Sequence, residues 1–191
     1  MAKNAVKSRR RFGAALEPLT RGTVAYFEKE GRELVRLDRI DTQASPLRAM
    51  SSATLAAAGS SALGHAGYFA ELLDEWSPDA QANEKLFRLG AAVGDALSAG
   101  APGAPLARYF EYWLLTLEGV YPDMTESGMS AETLAFLRLA ATTPPAQVGT
   151  LRLGGTAARE LEAAHRRLIA MHLEKDLRSA RVLREIGPDL L

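Results

Sequence analysis

The sequence predicts an α+β protein in which a short N-terminal β-unit precedes a mostly α-helical bundle. β-Branched and aromatic residues are concentrated between residues 20 and 40, and apolar residues recur at helical spacing after Pro46. We therefore expect a β-unit over residues 1–45 and a helical domain of about five or six helices over residues 46–191. A chain of 191 residues can bury about 70% of its unfolded surface, so this fold needs no covalent support.

Two extended segments near the start predict a β-hairpin. Both segments, residues 20–27 and 33–40, are rich in side chains that favour a pleated strand: Thr23, Val24, Tyr26, Phe27, Leu34, Val35, Leu37 and Ile40. The polar residues 28–31 between them, ending in Gly31, can form the reversal. A lone hairpin is marginal in water, so further strands or a helix must cover it.

The helical part is predicted from three apolar stripes, each confined to one helix face. The stripes are Leu86, Leu89, Val93 and Leu97, then Phe110, Trp113, Leu114 and Leu117, and finally Leu161, Ala164, Leu168 and Met171. Ser130 and Thr156 are the residue types that cap helix N-termini, so we expect helices to begin beside them.

The opening of the chain carries a concentrated basic segment, although the 23 basic and 23 acidic residues balance overall. Its cations are Lys3, Lys7, Arg9, Arg10 and Arg11. Such a segment, here beside the aromatic Phe12, is typical of surfaces that follow a phosphate backbone, because each neutralised phosphate releases counterions. A solvated tail and an organelle transit peptide remain alternatives, the latter disfavoured because no Ser-rich amphipathic stretch follows.

A second basic group lies near the C-terminus. Lys175, Arg178, Arg181 and Arg184 recur every three residues, which predicts a stripe on one side of a C-terminal helix. This stripe could contact DNA or a partner. It could equally complement the helix dipole and form ion pairs within the helix, such as Glu174 with Arg178.

The residues that catalysis would need are sparse. The chain has no cysteine, and His165 and His172 are about 10 Å apart on one predicted helix, too far to share a metal ion. We expect these histidines at the surface or at its boundary with the core, and we expect Glu71, Asp74 and Glu75 to form a solvated face. With no nucleotide-binding motif, the sequence predicts a non-enzymatic protein without cofactor or metal, located in the cytoplasm because no membrane span or secretory leader is recognisable.

Four segments, in this order along the chain, resemble the RecO recombination mediators of bacterial DNA repair. They are KSRRRFGAALEP at residues 7–18, YFAELLD at 68–74, RYFEYWLL at 108–115 and LRSARVL at 177–183. The resemblance implies an N-terminal OB-type barrel of five strands, a helical region and often a four-cysteine zinc module. It also implies binding of single- and double-stranded DNA, annealing of complementary strands, contact with the acidic tail of single-strand-binding protein, and recombinase loading together with RecR.

The sequence departs from the family pattern in two places. Members usually carry further residues before the basic segment that supply the first strands of the barrel, so we expect only part of an OB-type β-unit here. The zinc cysteines would fall in residues 121–130, which contain none, so we expect no metal at that loop.

Three functional hypotheses follow. The first is a DNA-binding and annealing mediator, with Lys3, Lys7, Arg9, Arg10 and Arg11 as the principal phosphate contacts and Lys175, Arg178 and Arg181 as a secondary set. The second is a helical interaction scaffold that binds an acidic protein tail. The third and weakest is a small hydrolase that uses Glu71 and Asp74.

Overall fold

The computed structural model describes residues 12–31, 35–78, 81–123 and 128–186. These residues form a 3₁₀ turn at Gly13–Leu16, strands β1 (Arg21–Phe27) and β2 (Arg36–Ala44), and seven α-helices. The helices are α1 (Pro46–Ala49), α2 (Ser52–Trp76), α3 (Glu84–Ser98), α4 (Gly103–Leu117), α5 (Ala131–Thr142), α6 (Gly155–Leu173) and α7 (Arg178–Ile186), with a 3₁₀ segment at Pro145–Thr150 between α5 and α6. The α+β prediction is confirmed.

The predicted hairpin is present, with its second strand displaced toward the C-terminus. β1 and β2 pair antiparallel, from Arg21 opposite Ala44 to Phe27 opposite Arg36. Within the described ranges the sheet has these two strands. The division of the chain into domains at residue 45 stays a prediction.

The hairpin is tied to the helices by polar contacts. Arg21 at the start of β1 forms a 2.6 Å ion pair with Asp95 on α3. Glu17, just before β1, accepts hydrogen bonds from the Ser45 hydroxyl at 2.9 Å and the Arg48 guanidinium at 3.1 Å, next to and within α1. These contacts fix the open end of the hairpin, where β1 begins and β2 ends, against the helical part.

The core lies among the long helices. Phe69 on α2 packs against Phe110 on α4 with ring centroids 4.8 Å apart, and both side chains are buried. The α3 stripe is confirmed, since all four of its predicted members are buried. None of the helices in the described ranges is long and apolar enough to cross a membrane.

The predicted core face of α6 is right at Leu161 and wrong at Met171. The buried residues of this helix are Ala157, Leu161, His165 and Ile169, whereas Met171 is 76% exposed. These four positions follow one i, i+4 row of the helix surface. The prediction failed because the row contains a histidine, which becomes a core residue only through partners that the sequence pattern does not reveal.

The termini of α5 and α6 test the predicted caps. Ser130 caps α5, and its hydroxyl accepts the backbone N–H of Thr133. Thr156 is not a cap. α6 begins at Gly155, so Gly154 occupies the capping position and Thr156 lies within the first turn. Glu132 Oε1 accepts the backbone N–H of Gly154 at 3.2 Å, which satisfies one backbone donor beside the start of α6.

The C-terminal basic stripe does not lie on one helix. Glu174 adopts a left-handed backbone conformation with φ 54° and ends α6, and α7 starts only at Arg178. Lys175 therefore lies in the connection between two helices. The prediction of a continuous helical stripe is wrong at this point.

Candidate nucleic-acid interface and adjoining pocket

The principal predicted DNA contacts fall outside the described residues. These are Lys3, Lys7, Arg9, Arg10 and Arg11. The described chain begins at Phe12, which is 3% exposed, and continues into the Gly13–Leu16 turn. The ring of Phe12 is thus part of the protein interior and is not available as the exposed aromatic that the sequence suggested beside the cations.

The secondary set of predicted DNA contacts lies within the described residues, and its three members differ in their surroundings. Lys175 Nζ lies 2.6 Å from Glu75 on α2, so its charge is already paired. Arg178 is exposed at the first position of α7. Arg181 is 74% exposed, and its Nε lies 4.0 Å from the Glu185 carboxylate. Arg178 and Arg181 remain the cations of this set that solvent reaches freely.

Glu71 holds the N-terminus of α7 in place. Its carboxylate accepts the backbone N–H of Arg178 at 3.0 Å, that of Ser179 at 2.8 Å, and the Ser179 hydroxyl. Partial burial alone would raise the pKa of Glu71, but the bonds from Ser179 and Arg178 outweigh it and lower the pKa. Glu71 is therefore a structural anchor. It does not belong to a solvated acidic face, and this removes the main support for the hydrolase hypothesis.

A pocket opens between α6, the 174–177 connection and α7, above residues of α2 and α4. Apolar side chains form its walls, including Ile169 and Leu177, and its rim carries Arg166, Lys175 and Arg184. Acidic Glu162 and Asp176 also line it. The pocket thus combines an apolar slot with several cationic groups.

Arg108 lies at the floor of this pocket with unused hydrogen-bonding capacity. Its side chain is 1% exposed, and its Nη2 donates to Glu111 Oε1 at 2.8 Å. Its Nε and Nη1 have no hydrogen-bond partner among the described residues. Buried donors without a partner are rare and costly, so a pocket-lining guanidinium with two of them favours an anionic ligand.

Glu111 binds three side chains in the buried interior, and one of them extends the network to a fourth. Besides Arg108, its Oε1 accepts the Tyr68 hydroxyl at 2.5 Å, and its Oε2 is 2.8 Å from His165 Nδ1. The other ring nitrogen of His165 lies 2.8 Å from the Tyr121 hydroxyl. This network joins α2, α4, α6 and the segment after α4.

Protonation within the network follows from its geometry. Burial lowers the pKa of His165 despite the neighbouring carboxylate, so the ring is neutral near neutral pH. Burial would raise the pKa of Glu111, but Arg108 and the hydrogen bond from His165 lower it. His165 Nδ1–H then donates to the carboxylate, which leaves Nε2 to accept the hydroxyl of Tyr121, whose pKa is raised by burial.

The predicted surface or boundary location is therefore wrong for His165, which is fully buried, and right for His172. His172 is exposed and stacks on Trp76, with ring centroids 5.2 Å apart. His65 is also fully buried, where its Nδ1 lies 2.7 Å from the Ser61 carbonyl oxygen. Among the described residues, no group of three or more His, Asp or Glu side chains could hold a metal ion.

A sequence signal that could have indicated the pocket is the pair Arg108 and Glu111 within an otherwise apolar helix. Two charged residues flanked by Tyr109, Phe110 and Tyr112 indicate a buried ion pair. The contribution of His165 could not be found this way, because 54 residues separate it from Glu111.

The arrangement defines a mostly helical, hairpin-bearing protein whose exposed cations and pocket suit anionic partners. A family profile described as "Recombination protein O C terminal" matches residues 60–128. The chain is 44% identical over 134 residues to the DNA repair protein RecO of Koribacter versatilis, covering 70% of this chain and 52% of that relative. It is 31% identical over 221 residues to the RecO protein of Anaeromyxobacter sp. (strain K), covering 98% of this chain and 84% of that relative.

A third relative, the DNA repair protein RecO of Geobacter sulfurreducens, is 35% identical over 119 residues, covering 62% of this chain and 45% of the relative. No solved structure matches the chain. In its match with the Koribacter protein the chain spans about half of the relative's length. The chain belongs to the RecO family of DNA repair proteins.

Proposed function

We propose that this protein is a DNA repair and recombination mediator that binds single- and double-stranded DNA and catalyses no covalent reaction. It promotes annealing of complementary strands and, together with RecR, loads a recombinase. The observation that carries this proposal is the similarity to a DNA repair protein along 98% of the chain. The exposed cations of α7 are consistent with binding of a negatively charged partner such as DNA.

The basic segment supplies the principal phosphate contacts in this proposal. Lys3, Lys7, Arg9, Arg10 and Arg11 are close enough in sequence to contact consecutive phosphates. Arg178 and Arg181 extend the cationic surface, while Lys175 contributes only if phosphate displaces Glu75 from it. Binding through phosphates is independent of base sequence, as annealing of arbitrary strands requires.

Replacement of Arg9, Arg10 and Arg11 by alanine tests this assignment. We expect weaker binding to all sequences alike and a salt dependence whose log–log slope flattens by up to about 2, because three contacts are lost. The matched control removes the same charge elsewhere, through alanine at the exposed Arg88, Arg138 and Arg159 on α3, α5 and α6. Equal affinity and slope in the two triple variants would reject the basic segment as the DNA contact.

A second activity, capture of the acidic tail of single-strand-binding protein, is supported by the pocket above Arg108. The unpartnered Nε and Nη1 of Arg108 can donate to a carboxylate, and Ile169 and Leu177 can contact an apolar side chain beside it. Charge-assisted bonds from a desolvated arginine are among the strongest polar contacts available. We therefore assign the tail to the pocket and DNA to the outer cations.

Two arginines of α7 test whether the acidic tail binds in the pocket or on the outer cationic surface. Arg184 lines the pocket, whereas Arg181, one helical turn away, does not. We expect Arg184→Ala to weaken binding of an acidic peptide with a free C-terminus and Arg181→Ala to leave it unchanged. Anisotropy of a labelled peptide measures both, and equal effects of the two variants on peptide binding would reject the pocket as its site.

A further inference from the structure

The second strand of the hairpin, β2, has an outer edge. Its backbone pairs with β1 on one side, and among the described residues no further strand lies on the other. Such an edge presents a row of backbone N–H and C=O groups that can pair with another extended chain. The hairpin also leaves apolar surface in solvent, since Val24 and Tyr26 are 49% and 54% exposed. Because two strands are marginal in water and larger sheets are stable, a further strand would stabilise the hairpin.

The charges of β2 restrict which strand can be added. Arginines and aspartates are spaced by apolar residues in the order Arg36, Leu37, Asp38, Arg39, Ile40 and Asp41. Like charges directly opposite each other destabilise a sheet, so most strands are rejected. A suitable strand places a carboxylate opposite each arginine, an arginine opposite each carboxylate, and apolar side chains opposite the two apolar positions.

The sequence of β2 is its own complement when it is read in the opposite direction. In an antiparallel pair of two β2 strands, Arg36 of one copy can lie opposite Asp41 of the other. The same register places Asp38 opposite Arg39, and Leu37 opposite Ile40. Each contact occurs twice, because the two copies are equivalent. A second β2 strand therefore meets every requirement that the charges impose.

A bulge in β2 makes this register possible. The strand pairing shifts between Ala25 and Tyr26 because β2 contains one extra residue, Asp38. In a regular strand Leu37 and Ile40 would lie on opposite faces, since their positions differ by an odd number. The extra residue returns both to one face, and their cross-strand neighbours in β1 are two residues apart and share a face. Two copies can thus pair about a twofold axis with apolar side chains meeting on the same face.

The ion pair already present on β2 does not oppose such an association. Arg39 and Asp41 of the same strand lie 3.2 Å apart, and their side chains are 65% and 62% exposed. An ion pair this exposed contributes little to stability. Its exchange for contacts with a second copy therefore costs little, and the added strand supplies backbone hydrogen bonds as well.

We propose that β2 pairs antiparallel with β2 of a second copy of this chain, which joins two hairpins into one four-stranded sheet. Charge complementarity selects this occupant, because an unrelated strand would have to carry the same pattern in reverse. The proposal is independent of the proposed DNA binding, since it involves neither the basic segment nor the pocket above Arg108.

Reversal of charge on β2 tests the pairing by sedimentation equilibrium over a range of protein concentrations. The variant Arg36→Glu/Arg39→Glu leaves only acidic charges on residues 36–41, and Asp38→Lys/Asp41→Lys leaves only basic ones. Wild-type protein is expected to form a dimer. Each variant alone should dimerise at least about tenfold more weakly, because opposite charges become like charges. An equimolar mixture of the two variants should dimerise again.

The mixture also shows that the variants are folded, because only intact hairpins can restore the dimer. Arg88→Glu/Arg138→Glu reverses two exposed cations on α3 and α5 and should dimerise as wild type does. Wild-type protein that stays monomeric at every concentration would overturn the proposal. A mixture no more associated than either variant alone, or variants that dimerise like wild type, would overturn it equally.

Discussion

His165 on α6 and Glu111 on α4 are joined by a 2.8 Å hydrogen bond in the interior, where neither side chain is more than 1% exposed. The bond completes a chain from Tyr121 through His165 and Glu111 to Arg108 and Tyr68. Because Glu111 also orients Arg108, the same contact that links two helices positions the guanidinium at the floor of the pocket. Stability and the pocket are therefore coupled through one carboxylate.

Acid should destabilise the protein through His165 before it affects Glu111. Burial lowers the pKa of His165 in the folded state below its ordinary value of 6.5, so the unfolded chain binds the extra proton. Stability is thus retained above about pH 6.5 and falls as the pH decreases toward the folded-state pKa. The lowered pKa of Glu111 adds a further loss only below its ordinary value of 4.5. Denaturant unfolding between pH 7 and 5 measures the first effect.

His165→Gln should reduce that loss of stability between pH 7 and 5, because the amide can still donate to Glu111 and accept from Tyr121 without titrating. His172→Gln removes a histidine from the exposed Trp76 stack and serves as the control, with the wild-type pH profile expected. An undiminished pH dependence in His165→Gln would show that another group is responsible.

Tyr68→Phe should destabilise the protein by about 2 kcal/mol. The substitution removes the hydroxyl that donates to the buried carboxylate of Glu111, and bonds to charged groups are worth more than neutral ones. Tyr26→Phe, at a tyrosine that is 54% exposed, is the matched control and should change stability little. Chemical denaturation compares the two, and equal midpoints would contradict a structural role for the Tyr68 bond.

Glu71→Ala should loosen α7 from the bundle. The alanine leaves the N–H groups of Arg178 and Ser179 without their acceptor and removes a negative charge from a helix N-terminus, a loss of about 1–2 kcal/mol. Hydrogen exchange of the α7 amides should accelerate more than that of α4. Asp74→Ala, an exposed carboxylate on the same helix, should leave α7 protected. Faster exchange in both variants alike would contradict the anchoring role.

Two glycine substitutions should change the stability of the folded protein in opposite directions. A Cβ at Gly103 would lie 2.2 Å from His65 Cε1, and the fully buried imidazole has little room to move, so Gly103→Ala should destabilise. A Cβ at Gly67 meets nothing within 4 Å, and alanine is the better helix former, so Gly67→Ala should stabilise by about 1 kcal/mol. Thermal unfolding of both variants checks the signs, and stabilisation by Gly103→Ala would contradict the packing of α4 on His65.

The sequence predicted those elements that depend on local periodicity. The hairpin and the α3 stripe were recoverable because each follows the side-chain period of its own element. The α6 face was missed because His165 becomes a core residue only when Glu111 and Tyr121 satisfy both ring nitrogens.

Lys175 was misplaced for a related reason. A three-residue spacing continues through the sequence, but a left-handed backbone at Glu174 interrupts the helix, and this is not visible in the charges. The sequence identifies which residues of the candidate site are cationic. Their pairing, as in Lys175 with Glu75, could not be predicted, because it depends on packing between distant helices.

If this chain binds nucleic acid through its phosphates, added salt must weaken the binding, and anisotropy of a labelled single-stranded oligonucleotide measures this. The protein is titrated at salt concentrations from about 50 to 200 mM. We expect binding that weakens with a log–log slope of about −0.7 for each phosphate contacted, or roughly −3.5 for the five principal cations. No binding at the lowest salt concentration, or binding that salt does not weaken, would contradict the account.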